Sequence, residues 1–342
     1  MTYGGFFSPW SSGTRQRMGI CLAVSAVLLL SPPSLLASPI IVFGDSLSDT
    51  GNAYAATGKQ FPPTPYNSGR FSNGPIWVEQ LASRLSAPIP TPSSTGGTDY
   101  AYAGAATGPT PLGTQLGTPS GMSPLTTPSG QFIANVPSLP TQVANYIASL
   151  KGGTPAAGTI ATIWAGANDF FDGQRDPTVP AKNIANAIST LIAAGVKNFL
   201  VPNLPNLSKT PYGLSTSAAT QQGLYALTAG FNNALFADLG TLANMPGVHI
   251  HTMDVFGLFQ QIQANPAQFK LSNVTDEGIL TGNPSAPGYL FWDDVHPTTA
   301  GHQLLANEAA GALAAPEPAS LTMLASGFLG LLGYGWRRRS AA

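Results

Sequence analysis

Ser46 stands in the stretch "IVFGDSLSDTGN", where an apolar run breaks off into glycine, two carboxylates and two serines. A serine hydroxyl is a weak nucleophile until a base takes its proton, and the base works best when a third group fixes its orientation. The sequence offers four histidines, His249, His251, His296 and His302. His249 and His251 alternate within a predicted strand and His302 falls inside the last predicted helix, where a packed or solvated ring is the ordinary reading. His296 differs, because it stands in "FWDDVHP", a predicted loop just before the C-terminal helix, with Asp293 three residues earlier. On a turn, that spacing can put a carboxylate beside Nδ1 and leave Nε2 to face Ser46, with Asp294 as the rival orienter. The bland reading of the same loop is a helix N-terminus with acidic residues beside its dipole.

Acyl transfer also needs hydrogen-bond donors where the oxyanion develops, each worth about 10²- to 10³-fold in rate. Two stretches that follow predicted strands supply candidates: "YAYAGA" with the backbone N–H of Gly104, and "WAGAND" with the side-chain amide of Asn168. Taken singly, Gly104 reads equally well as a turn residue and Asn168 as a helix cap. Asp45 and Asp49 read as turn and cap residues rather than catalysts.

These residues need a frame that brings distant positions together. Apolar runs flanked by glycine or proline predict strands over 39–43, 99–102, 159–164, 198–201 and 248–253. Between them, Ile76, Trp77, Gln80, Leu81 and Leu85 follow a helical stripe behind Asn73, a predicted N-cap, with Pro75 in the first turn. Further helices are expected over 139–150, 179–194, 218–242, 255–262 and 298–313. Short strands alternating with helices argue for an α/β fold with a parallel sheet covered on both faces. Ligands in such sheets sit at the carboxyl ends of the strands, where Ser46 falls. Two stretches, 106–136 and 271–289, are rich in turn residues and lack periodicity, as functional loops often do.

Composition narrows the class further. The 342 residues suffice for one large α/β domain or two small ones, and a net charge of -1 with 8% charged residues leaves no electrostatic footprint for nucleic acid. Cys21 is the sole cysteine and lies in the N-terminal leader, so a processed chain would carry no thiol. Residues 1–38 run from Arg15 and Arg17 through an apolar stretch to "SPPSLLAS", the order of a secretory signal peptide. At the other end, residues 316–342 carry an apolar segment closed by Arg337, Arg338 and Arg339, which reads as a transmembrane helix with a cytoplasmic basic end.

Four blocks in chain order, "FGDSLSDTGN", "AYAGAATG", "AGAND" and "DDVHP", resemble the signature blocks of the SGNH or GDSL hydrolases. A fifth stretch, "GRFSNGPIWVEQLA", is similar to the lipase and acylhydrolase branch of that family. The resemblance implies a three-layer α/β/α sandwich over residues 39–315 with about five parallel strands. It makes Ser46 the nucleophile, His296 the base and Asp293 its orienter, with an oxyanion hole from the Ser46 N–H, the Gly104 N–H and the Asn168 amide. No metal or cofactor is implied. The second block departs mildly, since family members often carry a second glycine there.

The "PEP" triplet at 316–318, the apolar stretch and the terminal arginines together resemble the PEP-CTERM sorting tail of exported proteins from Gram-negative bacteria that make exopolysaccharide. That resemblance implies removal by an exosortase-type partner, transient membrane association and a secreted or cell-surface destination. The activity expected is ester hydrolysis through an acyl-enzyme on a small ester, lipid or acylated glycan. The alternatives are an O-acetyl esterase of polysaccharide, acyl transfer to another alcohol, and a non-catalytic protein that binds glycan or lipid.

Overall fold

The computed structural model describes residues 1–2, 38–127 and 130–315. All of its helices and strands lie in the compact unit Ser34–Ala342. The predicted signal peptide, apart from residues 1, 2 and 38, and the whole predicted tail lie outside the described residues. Among the described residues, no helix is long and apolar enough to cross a membrane.

The chain runs β1 (Ile40–Gly44), α1 (Asn52–Ala56), α2 (Trp77–Arg84), α3 (Pro111–Gln115), β2 (Met122–Thr126), β3 (Phe132–Pro137) and α4 (Leu139–Ser149). It continues β4 (Ile160–Trp164), α5 (Ala167–Phe171), α6 (Thr178–Ala193), β5 (Asn198–Pro202), α7 (Pro211–Ser215) and α8 (Ala218–Ala243). It closes with β6 (His249–Met253), α9 (Val255–Ala264), β7 (Asn273–Glu277), β8 (Tyr289–Phe291) and α10 (Thr299–Ala314).

The central sheet has the order β1-β4-β5-β6, all parallel. Its first two strands, IIVFG and IATIW, are buried at every position, as a sheet covered on both faces requires. Helices α4, α6 and α8 pack in series, and α2 packs on α10. The result is the α/β/α arrangement that the sequence implied. Helix starts follow side-chain chemistry: Ser217, Asp254 and Thr298 each accept an N–H from the first turn of α8, α9 and α10.

The sheet has four strands rather than about five. The expected strand at 99–102 does run beside β1, where Val42 donates to the Thr98 carbonyl at 3.0 Å and Tyr100 donates to the Val42 carbonyl at 2.8 Å. The ladder then stops at one parallel bridge, Val42 to Asp99. Its next rung would need the Gly44 N–H, which instead donates to Oε1 of the buried Gln142 at 2.9 Å. Nε2 of Gln142 donates to the Gly44 carbonyl at 2.9 Å and to the Pro137 carbonyl at 3.1 Å. A side chain from α4 therefore takes the donor of that rung, and only its other half, the Tyr102 N–H to the Gly44 carbonyl, forms at 3.1 Å.

A second difference concerns Asn73, which does not cap α2. The cap position is Ile76, whose N–H is taken by the Glu79 carboxylate at 2.9 Å. Asn73 serves α10 instead, accepting the Thr299 N–H at 2.8 Å. The aperiodic stretch at 106–136 is more ordered than its composition suggested, holding α3 and an antiparallel ribbon of β2 and β3. The stretch at 271–289 contains β7, which pairs with β8.

Buried carboxylates fasten the loops to the strand ends. Asp99 accepts the Thr50 N–H and hydroxyl at 2.6 Å each and the Ala101 N–H at 2.8 Å. Asp169 accepts the Thr107 N–H at 2.9 Å and its hydroxyl at 2.6 Å. Asp49 accepts N–H groups from Gly51, Asn52, Ala53 and Ala103. Burial outweighs these bonds and pushes Asp49 and Asp169 up to about 6. Burial, together with the nearby charge of Asp49, holds Asp99 well above the ordinary carboxylate range.

Two outcomes are expected. Replacing Gln142 by Leu orphans the Gly44 N–H and should destabilise the fold by about 1–3 kcal/mol; a urea unfolding midpoint equal to that of the parent would contradict this. Carboxyls whose folded pKa is raised bind more protons folded than unfolded between ~4 and the folded value, so stability falls as pH rises through that window. Thermal unfolding should accordingly come at a higher temperature at about pH 5 than at about pH 8, and the reverse order would refute it.

Candidate active site

Ser46 follows β1 at the point where the sheet order switches, between the bridged segment at Asp99 and β4. Such switch points open a crevice at the carboxyl ends of parallel strands. Gly44 makes the exit possible. Its φ is +144°, and a Cβ there would run into the carbonyl oxygen of Trp164 on β4. Asp45 then closes the turn, its carboxylate accepting the Leu47 N–H at 3.0 Å and its carbonyl accepting the Ser48 and Asp49 N–H groups at 3.0 and 3.1 Å.

His296 comes from the loop between β8 and α10. Its Nε2 lies 2.7 Å from Oγ of Ser46, and its Nδ1 lies 2.7 Å from Oδ2 and 2.9 Å from Oδ1 of Asp293. The tautomer that satisfies both contacts carries its proton on Nδ1 and turns the Nε2 lone pair to the serine hydroxyl. Asp293 is held on every side: Oδ1 accepts the N–H groups of Val295 and His296 at 3.0 and 2.7 Å, and Oδ2 accepts the Tyr66 hydroxyl at 2.7 Å. Asp294 makes no hydrogen bond to the ring among the described residues; its carbonyl accepts the Tyr212 N–H at 2.8 Å. Of the two rival carboxylates, geometry puts Asp293 on the imidazole.

The electrostatics agree with that geometry. Burial by itself would disfavour the imidazolium, but the charge and hydrogen bond of Asp293, aided by Asp294 and Asp45, outweigh it and raise His296 above its ordinary 6.5. Asp293 is also buried, which opposes its ionisation, yet His296 and the bonds from His296 and Tyr66 hold it below the usual carboxylate range. Burial pushes both Asp45 and Asp172, at the same cleft, up to about 7.

The expected oxyanion donors converge on this cleft. Gly104 has φ +77°, and a Cβ there would crowd Leu125 of β2. In the turn around it, Tyr102, Ala103 and Ala105 all donate their N–H groups, to the Gly44 carbonyl, the Asp49 carboxylate and the Tyr102 carbonyl. The N–H groups of Gly104 and Ser46 have no acceptor among the described residues. Asn168, in the first turn of α5, donates from Nδ2 to the Ala105 carbonyl at 2.9 Å, which ties the second and third sequence blocks together.

Ser46, Gly104, Asn168, Asp293 and His296 all line one cleft of about 440 Å³. Its walls are mostly apolar, including Phe61, Leu112, Leu125, Phe171 and Phe259, and its charged lining is Asp45, Asp172, Asp293 and Asp294, with no lysine or arginine among the described residues. A larger groove of about 600 Å³ between α8 and β6 holds none of these residues.

Two contributors escaped the sequence reading. Tyr66 sits in the proline-rich stretch "FPPTPYNSGR", where nothing marks it as a partner for a carboxylate 227 positions away. Phe71, within the noted "GRFSNGPIWVEQLA" stretch, lays its ring 5.2 Å from the His296 ring. His302 is fully buried and accepts the Trp77 N–H at Nδ1, and burial pushes its pKa down to about 3.

Residues 314–339 match the PEP-CTERM protein-sorting motif. The chain is 27% identical over 290 residues to a thermolabile hemolysin of Vibrio parahaemolyticus, covering 79% of this chain and 62% of the hemolysin. It therefore spans under two thirds of that relative's length. It is also 26% identical over 329 residues to a phosphatidylcholine-sterol acyltransferase of Aeromonas hydrophila, covering 80% of this chain and 89% of the relative. A crystal structure of a lipolytic G-D-S-L family member from Veillonella parvula superposes with a TM-score of 0.44 at 15% identity, covering 80% of this chain and 97% of that one. Residues 40–309 match the family model for GDSL-like lipase/acylhydrolase, and the chain belongs to that family.

Proposed function

We propose that the chain is an exported serine esterase or lipase that hydrolyses carboxylic esters through an acyl-enzyme on Ser46. The observation that carries this reading is the hydrogen-bonded line from Ser46 Oγ through His296 to Asp293. In it, Nε2 of His296 takes the serine proton as Oγ attacks the ester carbonyl, and Asp293 holds the ring and stabilises the imidazolium. The oxyanion is received by the N–H groups of Ser46 and Gly104 and by Nδ2 of Asn168. His296 then protonates the leaving alcohol, the acyl group stays on Ser46, and a water activated by the same histidine releases it.

The lining of the cleft bears on the substrate. Apolar walls suit an acyl chain longer than acetyl, and a lining whose carboxyls face no lysine or arginine among the described residues disfavours polyanions such as an acidic polysaccharide. An ester with an apolar acyl chain and an uncharged or cationic leaving group fits best. The names of the hemolysin and acyltransferase relatives are compatible with a lipid of that kind and keep transfer to a second alcohol as the variant reading. The sorting motif supports export and surface association, with an exosortase-type enzyme removing the tail after transient anchoring.

Hydrolysis of chromogenic acyl esters from acetyl to palmitoyl tests the reading. Ser46→Ala should lower kcat by about 10⁶-fold, with preference in the parent for medium or long chains; a folded Ser46→Ala protein that keeps its turnover would sink the serine mechanism. Because His296 must be neutral to act as base and its pKa is raised, kcat/KM should climb with pH through a midpoint above 6.5. Asp293→Asn removes the charge that raises it, so that midpoint should move down while kcat drops by about 10⁴-fold. An unmoved midpoint would separate Asp293 from the role given to it.

A further inference from the structure

We infer that Asp49 is the positioning residue that sets the Gly104 N–H for the oxyanion. The inference rests on the serine reading and adds to it a residue that contacts no substrate. Asp49 is fully buried and its two oxygens receive four backbone donors. Oδ1 accepts Gly51 at 2.7 Å and Asn52 at 2.6 Å, while Oδ2 accepts Ala53 at 3.0 Å and reaches Ala103 at 2.9 Å. Three of these bonds are local and fasten the start of α1. The fourth crosses to the second sequence block and ends on the residue immediately before Gly104.

That fourth bond acts beside the turn's own closure, in which the Ala105 N–H donates to the Tyr102 carbonyl at 3.0 Å across Gly104. Asn52 and Asp99 also join the two segments, but Asn52 donates to the carbonyls of Asp99 and Ala101, and Asp99 accepts from Thr50 and Ala101. All of those contacts fall two or more residues short of Ala103's successor. Tyr102, on Gly44, fixes the entry to the turn, and the Ala105 carbonyl, on Asn168, fixes its exit. Between them Gly104 sits at φ +77°, a region in which glycine moves freely unless its neighbours are held. The carboxylate of Asp49 holds the peptide on its near side, so the Gly104 N–H, which has no acceptor among the described residues, is kept in one orientation. Preorganised donors contribute because they need not reorient as charge develops.

An amide at this position would have one acceptor oxygen for four donors, and an NH₂ group facing N–H groups. Asp49→Asn should therefore lower kcat by about 10- to 100-fold with KM within about twofold of the parent. The readout specific to positioning is a pair of inhibitors: an alkyl trifluoromethyl ketone, which forms a tetrahedral adduct with a serine, and the matching unreactive methyl ketone. The affinity for the trifluoromethyl ketone should fall in parallel with kcat/KM, whereas that for the methyl ketone should not change. A merely structural role would weaken both or neither.

Should Asp49→Asn fold poorly, replacing Ala103 by lactic acid in the full chain removes that residue's N–H, leaves the other three bonds of Asp49 intact and only weakens the Tyr102 carbonyl as acceptor of the Ala105 N–H. The same split between the two inhibitors is expected. Equal loss of both inhibitors, or no loss of either, in folded protein overturns the inference. Ser46→Ala, run beside them, separates the two levels: if it is inactive while the ratio for Asp49→Asn is unchanged, only the role of Asp49 fails. If Ser46→Ala turns over substrate, the serine reading fails and takes this inference with it.

Discussion

The structure turns on the peptide groups of one residue at the end of β1. Gly44 must leave the sheet in a conformation that a side chain would block, because the Trp164 carbonyl occupies the place of a Cβ. Its N–H would otherwise continue the ladder, as its carbonyl does by accepting the Tyr102 N–H at 3.1 Å, and a buried backbone group without a partner is costly. Gln142 resolves the conflict with one amide, accepting the N–H and donating to the carbonyl. Because that exchange occurs with the strand still packed on both sides, the chain can swing Ser46 into the crevice without opening the core. The Asp45 N–H stays tied to the Trp164 carbonyl at 3.3 Å, so the turn starts from a fixed base.

Beyond that turn, the loops are held by acceptors rather than by ion pairs. Only 8% of the residues are charged, yet aspartates at positions 45, 49, 99 and 169 are all buried around the strand ends. Each collects backbone N–H or hydroxyl donors from a loop, and a carboxylate can take several such donors where a carbonyl or amide oxygen takes fewer. The opposing force is desolvation, which raises the pKa of every one of the four. The loops around Ser46 and Gly104 are therefore precise in position but draw on stability that weakens as the pH rises.

Much of this was legible in the residues, for definite reasons. Ser46, His296 and Asp293 sit in short polar segments beside apolar runs, so type and spacing alone narrowed them. The sheet strands announced themselves as apolar runs between glycine or proline and the long helices by period, and the predicted helix at 218–242 matches α8 to within a residue. Three of the misses share a cause, which is a partner distant in sequence. The strand expected at 99–102 has suitable residues but loses its ladder to Gln142, 98 positions from Gly44. Asn73 has the chemistry of a cap but caps the far end of the chain, 226 positions on. Tyr66 has no pattern at all and gains its role only when Asp293 arrives. The ribbon of β2 and β3 hid because Pro124 and Gly130 fall where strand signals would be sought.

The adjacent pair Asp293 and Asp294 shows how position divides two identical side chains. Asp293 is pinned by two backbone N–H groups, a tyrosine hydroxyl and the imidazole, which favour its charged form despite burial. Asp294 lacks those donors, and burial together with the charge of Asp293 raises its pKa instead. It contributes to His296 through its field alone, as Asp45 does. Orientation of the ring thus depends on one carboxylate, whereas its basicity is shared among three. The two that do not bond the ring still face the cleft, together with Asp172. On the serine reading, Asp45 and Asp294 both strengthen the base and face an approaching leaving group, so a change at either alters basicity and selectivity together, whereas Asp172 bears on selectivity alone.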